Sequence, residues 1–390
     1  MKILMISDVY FPRINGVSTS IETFRETLLA NDIEVTLVAP EYPGVGDHEA
    51  ILRVPSRRVP FDPEDRLMKR GDLLRLPQRL HGRHFDLVHV QTPFVAHYAG
   101  LKLAGQRGIP CLTTYHTHFE EYFHHYLPLF PPRLTRFIAR HLARSQCNSL
   151  DAVVVPSQAM SSALKDYGVT RPIHVLPTGI PLEKFSHGDR AGFRRRHDIA
   201  EDVPLALYVG RVAHEKNLGF LLNSLKHALS MLPQLRLVIA GEGPALAGLQ
   251  REAESMGIAG HLCFVGYLDR ERELPDCYAA ADLFVFSSKT ETQGLVLLEA
   301  MAMGLPTLGI PAMGAADILK PGRGAICAPD DATGFGRLMG ELLTDRRRLA
   351  IHAAEARAFA SEWAAPERAR QLAMLYRQVA RSRGHPAFVQ

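Results

Sequence analysis

Residues 2–16 read Lys2-Ile3-Leu4-Met5-Ile6-Ser7-Asp8-Val9-Tyr10-Phe11-Pro12-Arg13-Ile14-Asn15-Gly16. A short apolar run that ends in polar residues is the pattern of a buried strand. Pro12, Asn15 and Gly16 then mark a loop. From Ser18 onward, Ile21, Phe24, Leu28 and Leu29 recur at helical spacing. Strand, glycine-bearing loop and helix open a doubly wound α/β unit, in which ligands bind beyond the carboxyl ends of the strands. Further apolar runs at 34–39, 87–91, 110–115 and 152–156 continue the alternation. A polar, arginine-rich segment at 185–202 (Arg190, Arg194, Arg195, Arg196) interrupts it, and Pro204 opens a new run at 205–209. Runs at 235–240, 263–265, 283–287 and 306–310 follow. The expectation is an α/β protein of two Rossmann-like doubly wound domains, 1–185 and 186–365, facing each other across a cleft. The tail, with Arg368, Leu372, Leu375, Tyr376 and Val379, reads as a helix over about 366–390 that packs back on the first domain.

Composition agrees with that reading. The 390 residues are 46% hydrophobic and 22% charged, which excludes disorder, collagen-like repeats and a coiled coil. The net charge of +4 is uneven: residues 51–150 hold fifteen Lys and Arg against seven Asp and Glu. An anionic partner belongs on that stretch. Five cysteines without CxxC spacing indicate neither a disulfide framework nor a zinc knuckle. The longest apolar stretch, 295–316, contains Glu299, Pro306 and Pro311, so no membrane-spanning helix is expected there. No nucleic-acid motif is present and the second domain carries no basic stripe, so nucleic acid is not an expected partner.

Three segments of the second half carry chemistry. Glu291-Thr292-Gln293-Gly294-Leu295-Val296 follows the run at 283–287 and opens a helix, with Glu299 about two turns inside it. Free N–H groups at a helix start beside a glycine form an anion site. Two carboxylates around it suit sugar hydroxyls, although a loop glutamate and an exposed helical glutamate would read the same way. Gly210-Arg211-Val212-Ala213-His214-Glu215-Lys216-Asn217 follows the second domain's first strand, and its two cations suit a diphosphate. Gly241-Glu242-Gly243-Pro244 is a tight turn that reads first as structural. No Asp-x-Asp occurs, so no carboxylate site for a metal-bound diphosphate is evident. The stretch from His116 through His118 to His124 and His125 has no HExxH, and no cysteine joins it at ligand spacing, which disfavours a metal cluster.

Together, the Asn15-Gly16-Val17 loop, the segments 210–217, 241–244 and 264–268, and the Glu291/Glu299 pair resemble the retaining nucleotide-sugar glycosyltransferases of the two-Rossmann (GT-B) type, family 4. The resemblance implies a hexosyltransferase in which Arg211 and Lys216 hold the diphosphate, assisted by the N–H groups of Leu295 and Val296 beside Gly294. It implies that Glu291 binds the donor sugar, Glu299 the ribose, Gly266 and Tyr267 border the base, and Gly16 lets a loop approach the donor. His116 would orient the reacting hydroxyl or stabilise developing charge. No cofactor and no metal are implied, since the nucleotide sugar is a substrate.

The acceptor is read from the basic stretch. Arg133, Arg136, Arg140 and Arg144 fall on one helical face, with Leu134, Ile138 and Leu142 beside it. An aromatic run at 122–130 precedes them, and Arg66, Lys69, Arg70, Arg75, Arg79 and Arg83 form a second basic group. Such surfaces dock on anionic bilayers, and a solvated arginine face over a core-bound apolar run is the plainer alternative. The segments 114–126 and 11–17 are similar to those of diacylglycerol glucosyltransferases. The expectation is transfer from UDP-glucose to a membrane lipid such as 1,2-diacylglycerol by a cytoplasmic protein peripheral on the inner membrane face. A GDP-mannose-dependent mannosyltransferase acting on an inositol lipid or soluble glycan, a nucleotide-sugar epimerase, and a non-catalytic sugar-nucleotide binder are the rivals.

Overall fold

The computed structural model describes residues 1–46, 48–59, 62–117 and 131–382. The chain divides into two units, one of residues 1–179 with 365–390 and one of residues 180–364. The division therefore falls a few residues ahead of the sequence-based boundaries at 185/186 and 365/366.

The first unit is built on β1 (Lys2–Ile6), β2 (Glu34–Pro40), β3 (Ile51–Val54), β6 (Leu87–Val90), β7 (Cys111–Thr114), β8 (Ala152–Val155) and β9 (Ile173–Val175). They form one parallel sheet in the order β3-β2-β1-β6-β7-β8-β9. A two-stranded antiparallel pair, β4 (Ser56–Val59) and β5 (Asp62–Met68), is an addition that sequence pattern did not suggest. In β1, Ile3 to Ile6 are all fully buried, as expected where helices cover both faces of a parallel sheet. The helix Gly16–Leu28 starts at Asn15, whose side chain accepts from the Ser18 N–H at 2.9 Å. Its Ile21, Phe24 and Leu28 pack with Leu372, Tyr376 and Val379 of the C-terminal helix Ala365–Ser382. Each large apolar side chain buried this way contributes about 1.5–3 kcal/mol.

The second unit holds β10 (Leu205–Val209), β11 (Arg236–Ala240), β12 (Leu262–Gly266), β13 (Leu283–Phe286), β14 (Thr307–Gly309) and β15 (Ala325–Cys327). Their order is β12-β11-β10-β13-β14-β15, all parallel, which is the Rossmann order with the switch point between β10 and β13. β3, β9 and β15 are three or four residues long and lie at sheet edges, too short to show a period in sequence.

The arginine-rich segment is a correction. It is not a polar connector: Arg190–Arg196 is a helix capped by Asp189, and Arg194 is fully buried. Its guanidinium donates to the carbonyls of Ala280, Ala200 and Val203 at 2.7–2.9 Å and to Asp282 at 3.1 Å. Asp282 in turn accepts the Leu205 N–H at the start of β10, so the arginine ties helix to sheet.

Candidate active site

The switch point of the second unit brings together two segments 75 residues apart. The loop after β10 ends in a single 3-10 turn, His214–Lys216, and Asn217 leaves it with φ +58. Ser287 at the end of β13 donates its hydroxyl to the Lys216 carbonyl at 3.0 Å, which stitches the two loops. Lys216 Nζ then donates to Glu291 Oε2 at 2.6 Å, with both side chains about four-fifths buried. Arg211 is on the same loop as Lys216 and partly buried. The loop of residues 241–243 lies directly against it: a Cβ on Gly241 would stand 2.0 Å from the Gly210 carbonyl oxygen. Gly241 also donates its N–H to Gly266 at 2.8 Å, so the turn after β11 spaces the loops on either side. Gly266 ends β12, and Tyr267 just beyond it is exposed.

Gly294 caps the helix Leu295–Ala302, and Leu295 and Val296 supply its first N–H groups. The loop before it is clamped by Gly314, a residue without any signature in sequence. Gly314 donates its N–H to the Glu291 carbonyl at 2.8 Å, and a Cβ there would stand 1.9 Å from the Thr292 oxygen. Glu299 is the fifth residue of the helix, a little over one turn inside instead of two. It is 1% exposed, ion-paired with Arg270 and hydrogen-bonded by the Tyr278 hydroxyl at 2.9 Å. The carboxylate so close raises the tyrosine further above a range that burial already lifts. Arg270 is a second member of the site that sequence reading missed, since an arginine in a charged loop has no signature.

In the first unit Gly16 opens its helix, and among the described residues no atom outside that helix and its chain neighbours lies within 4 Å of where a Cβ would be. His116 follows β7 and is partly buried, and loss of hydration depresses its pKa to about 4. Its Nε2 lies 2.9 Å from Gln91 Oε1 at the end of β6. His118, His124, His125 and the aromatic run at 122–130 lie outside the described residues. Downstream, the helix Pro132–Asn148 turns small residues inward, with Thr135, Ala139 and Ala143 buried. Three of its large apolar residues face out: Phe137 is 66% exposed, and Leu134 and Ile138 nearly half, while Leu142 is partly buried. Arg133, Arg136, Arg140 and Arg144 are exposed alongside. No helix among the described residues is long and apolar enough to cross a membrane.

Known proteins resemble this chain in sequence and in fold. Residues 14–184 match the model of Glycosyltransferase Family 4, and residues 189–359 match that of Glycosyl transferases group 1. An alpha-monoglucosyldiacylglycerol synthase of Streptococcus pneumoniae is 31% identical, covering 79% of this chain and 70% of its own. A GDP-mannose-dependent alpha-mannosyltransferase of Mycobacterium tuberculosis is 29% identical, covering 84% of each. Anabaena Alr3699/HepE, solved in complex with UDP and glucose, superposes with a TM-score of 0.78 at 17% identity over 97% of this chain and all of its own. With two Rossmann sheets, and with both halves matched in sequence, the chain belongs to the family 4 glycosyltransferases of GT-B architecture.

Proposed function

We propose that the protein is a retaining, metal-independent glucosyltransferase that moves glucose from UDP-glucose to the free hydroxyl of diacylglycerol at a membrane surface. The observation that carries the donor half is the Lys216–Glu291 pair at the switch point of the second sheet. Lys216 and Arg211 neutralise the diphosphate, with the N–H groups of Leu295 and Val296 at the helix start beside Gly294. Glu291 accepts from the sugar hydroxyls and Glu299 from the ribose, while Gly266 and Tyr267 border the base. In the transfer, the bond from the anomeric carbon to the diphosphate oxygen breaks and UDP leaves with the electron pair. The acceptor oxygen bonds to the same face of that carbon, and its proton passes to the departing diphosphate. His116 hydrogen-bonds the acceptor hydroxyl.

The acceptor half is supported by the outward apolar face of the helix Pro132–Asn148, flanked by four arginines. Apolar side chains enter the headgroup boundary and cations meet anionic lipid, so the protein docks peripherally. The name of the Streptococcus pneumoniae relative supports diacylglycerol and glucose, and that of the Mycobacterium tuberculosis relative supports GDP-mannose as the second reading. The test offers labelled UDP-glucose or GDP-mannose with vesicles containing diacylglycerol or phosphatidylinositol in an anionic background. Labelled glucosyldiacylglycerol is the expected product. Label on the inositol lipid from GDP-mannose, or epimerised donor with no lipid product, would overturn this reading.

A further inference from the structure

Glu299 lies in the helix Leu295–Ala302, and both partners of its carboxylate come from one other segment. That segment leaves β12 at Gly266, passes Tyr267 and Arg270, and enters the helix Glu273–Ala280, which carries Tyr278. Reciprocal capping fixes its turn. The Asp269 carboxylate accepts the N–H groups of Glu271 and Arg272 at 3.0 and 2.9 Å, and Glu273 accepts the Asp269 N–H at 3.0 Å. Arg270 is presented from this turn, its guanidinium 5.9 Å from the centroid of the buried Phe185 ring.

The carboxylate is met from two sides. Arg270 Nη2 donates to Oε1 and the Tyr278 hydroxyl to Oε2. The two members of the ion pair differ in exposure: 22% of the Arg270 side chain meets solvent against 1% for Glu299. A ligand approaching the pair from solvent therefore meets the guanidinium before the carboxylate. The guanidinium has five N–H donors, and its bond to Glu299 uses one of them. A carboxylate only accepts and a guanidinium only donates, whereas a sugar hydroxyl does both. A hydroxyl set between the two can donate to Glu299 and accept from Arg270, so that both charges stay answered.

We propose that Arg270 is a ribose-binding residue: a ribose hydroxyl of the nucleotide sugar lodges between Arg270 and Glu299, donating to the carboxylate and accepting from the guanidinium. The inference rests on the reading of Glu299 as the carboxylate that binds the ribose, and it adds the cation that holds the hydroxyl's oxygen. On binding, the direct ion pair becomes a bridged one. Arg270 thereby makes the site selective for ribonucleotides, because a deoxy sugar offers neither bond. Tyr278 stays on the other carboxylate oxygen and keeps the group from turning away.

Isothermal titration calorimetry on the full chain tests this, with UDP, 2′-deoxy-UDP and 3′-deoxy-UDP as probes and the matching guanosine series in parallel. The wild type should bind the ribonucleotide about tenfold or more tightly than the analogue that lacks the bridging hydroxyl. Arg270→Gln keeps a neutral donor beside Glu299, and circular dichroism checks that it is folded at the assay temperature. It should bind the ribonucleotide about tenfold more weakly, with the preference over the deoxy analogue reduced to about twofold or less. Arg270→Lys restores the cation without the fork and should recover part of the preference; it serves alone if Arg270→Gln is unstable. Glu299→Gln should lose the preference as well. Full preference in the folded Arg270 variants, with its loss in Glu299→Gln, would overturn the proposal and leave the reading of Glu299 standing. Equal weakening of ribonucleotide and deoxynucleotide would mark Arg270 as a packing residue only. Equal binding of the two by the wild type would sink the reading of Glu299, and this proposal with it.

Discussion

Glycine serves opposite purposes at two positions of this protein, and only the surroundings tell them apart. At Gly314 a Cβ would overlap the Thr292 carbonyl, so the residue is required by the loop that carries Glu291. At Gly16 nothing among the described residues beyond its own helix and chain neighbours stands within 4 Å of a Cβ, and the position lies in the first turn of a helix where alanine is the better former. The described residues therefore give no reason for a glycine at 16, whereas a donor approaching that loop would. Gly16→Ala should leave the melting temperature unchanged or slightly higher while raising the KM for the nucleotide sugar at least several-fold. An unaltered KM would make Gly16 a helix starter and nothing more. The same blindness limits sequence reading of the ion pairs. Lys216 and Glu291 are legible because each follows a strand at a loop where ligands bind, whereas Arg270 reveals itself only by its contact with Glu299.

Among the elements, strands that carry the sheets are legible because both of their faces are buried. Ile3 to Ile6 and Leu205 to Val209 are nearly all apolar for that reason. The helix Arg190–Arg196 is illegible for the converse reason, since one of its arginines is core and three flank it with the same chemistry. Arg194 is held by four carbonyls and a carboxylate, a set that only a guanidinium can satisfy. Arg194→Met removes the donors and leaves Asp282 and the carbonyls partly unanswered, so the second unit should lose about 3–5 kcal/mol. The midpoint of chemical denaturation measures this. Arg195→Met, on the same helix but at a more exposed position, should shift the midpoint by less than about 0.5 kcal/mol. Equal effects from the two would show that the buried network carries no stability. The helix Pro132–Asn148 shows the same limit from another side. Its arginine face is visible in sequence, but that Leu134, Phe137 and Ile138 point outward while alanines point in is a fact of packing.

Taken whole, the chain uses one plan twice. Each sheet reverses its strand order at its first strand, between β1 and β6 in one and between β10 and β13 in the other. Polar chemistry collects in the loops there, with Asp8 bonded to Thr92 in the first unit and Lys216 to Glu291 in the second. The charge follows the same division, since the excess of Lys and Arg at 51–150 belongs to the first unit and the switch-point cations Arg211 and Lys216 to the second. On the proposed function, the switch-point loops of the second unit hold the nucleotide sugar. Hydrogen exchange in the presence of saturating UDP-glucose, with GDP-mannose in parallel, tests it most directly. Slowed exchange with UDP-glucose is expected at amides of 210–217 and 291–299. Protection by GDP-mannose alone would contradict the donor, and protection of neither segment by either nucleotide sugar would contradict the site.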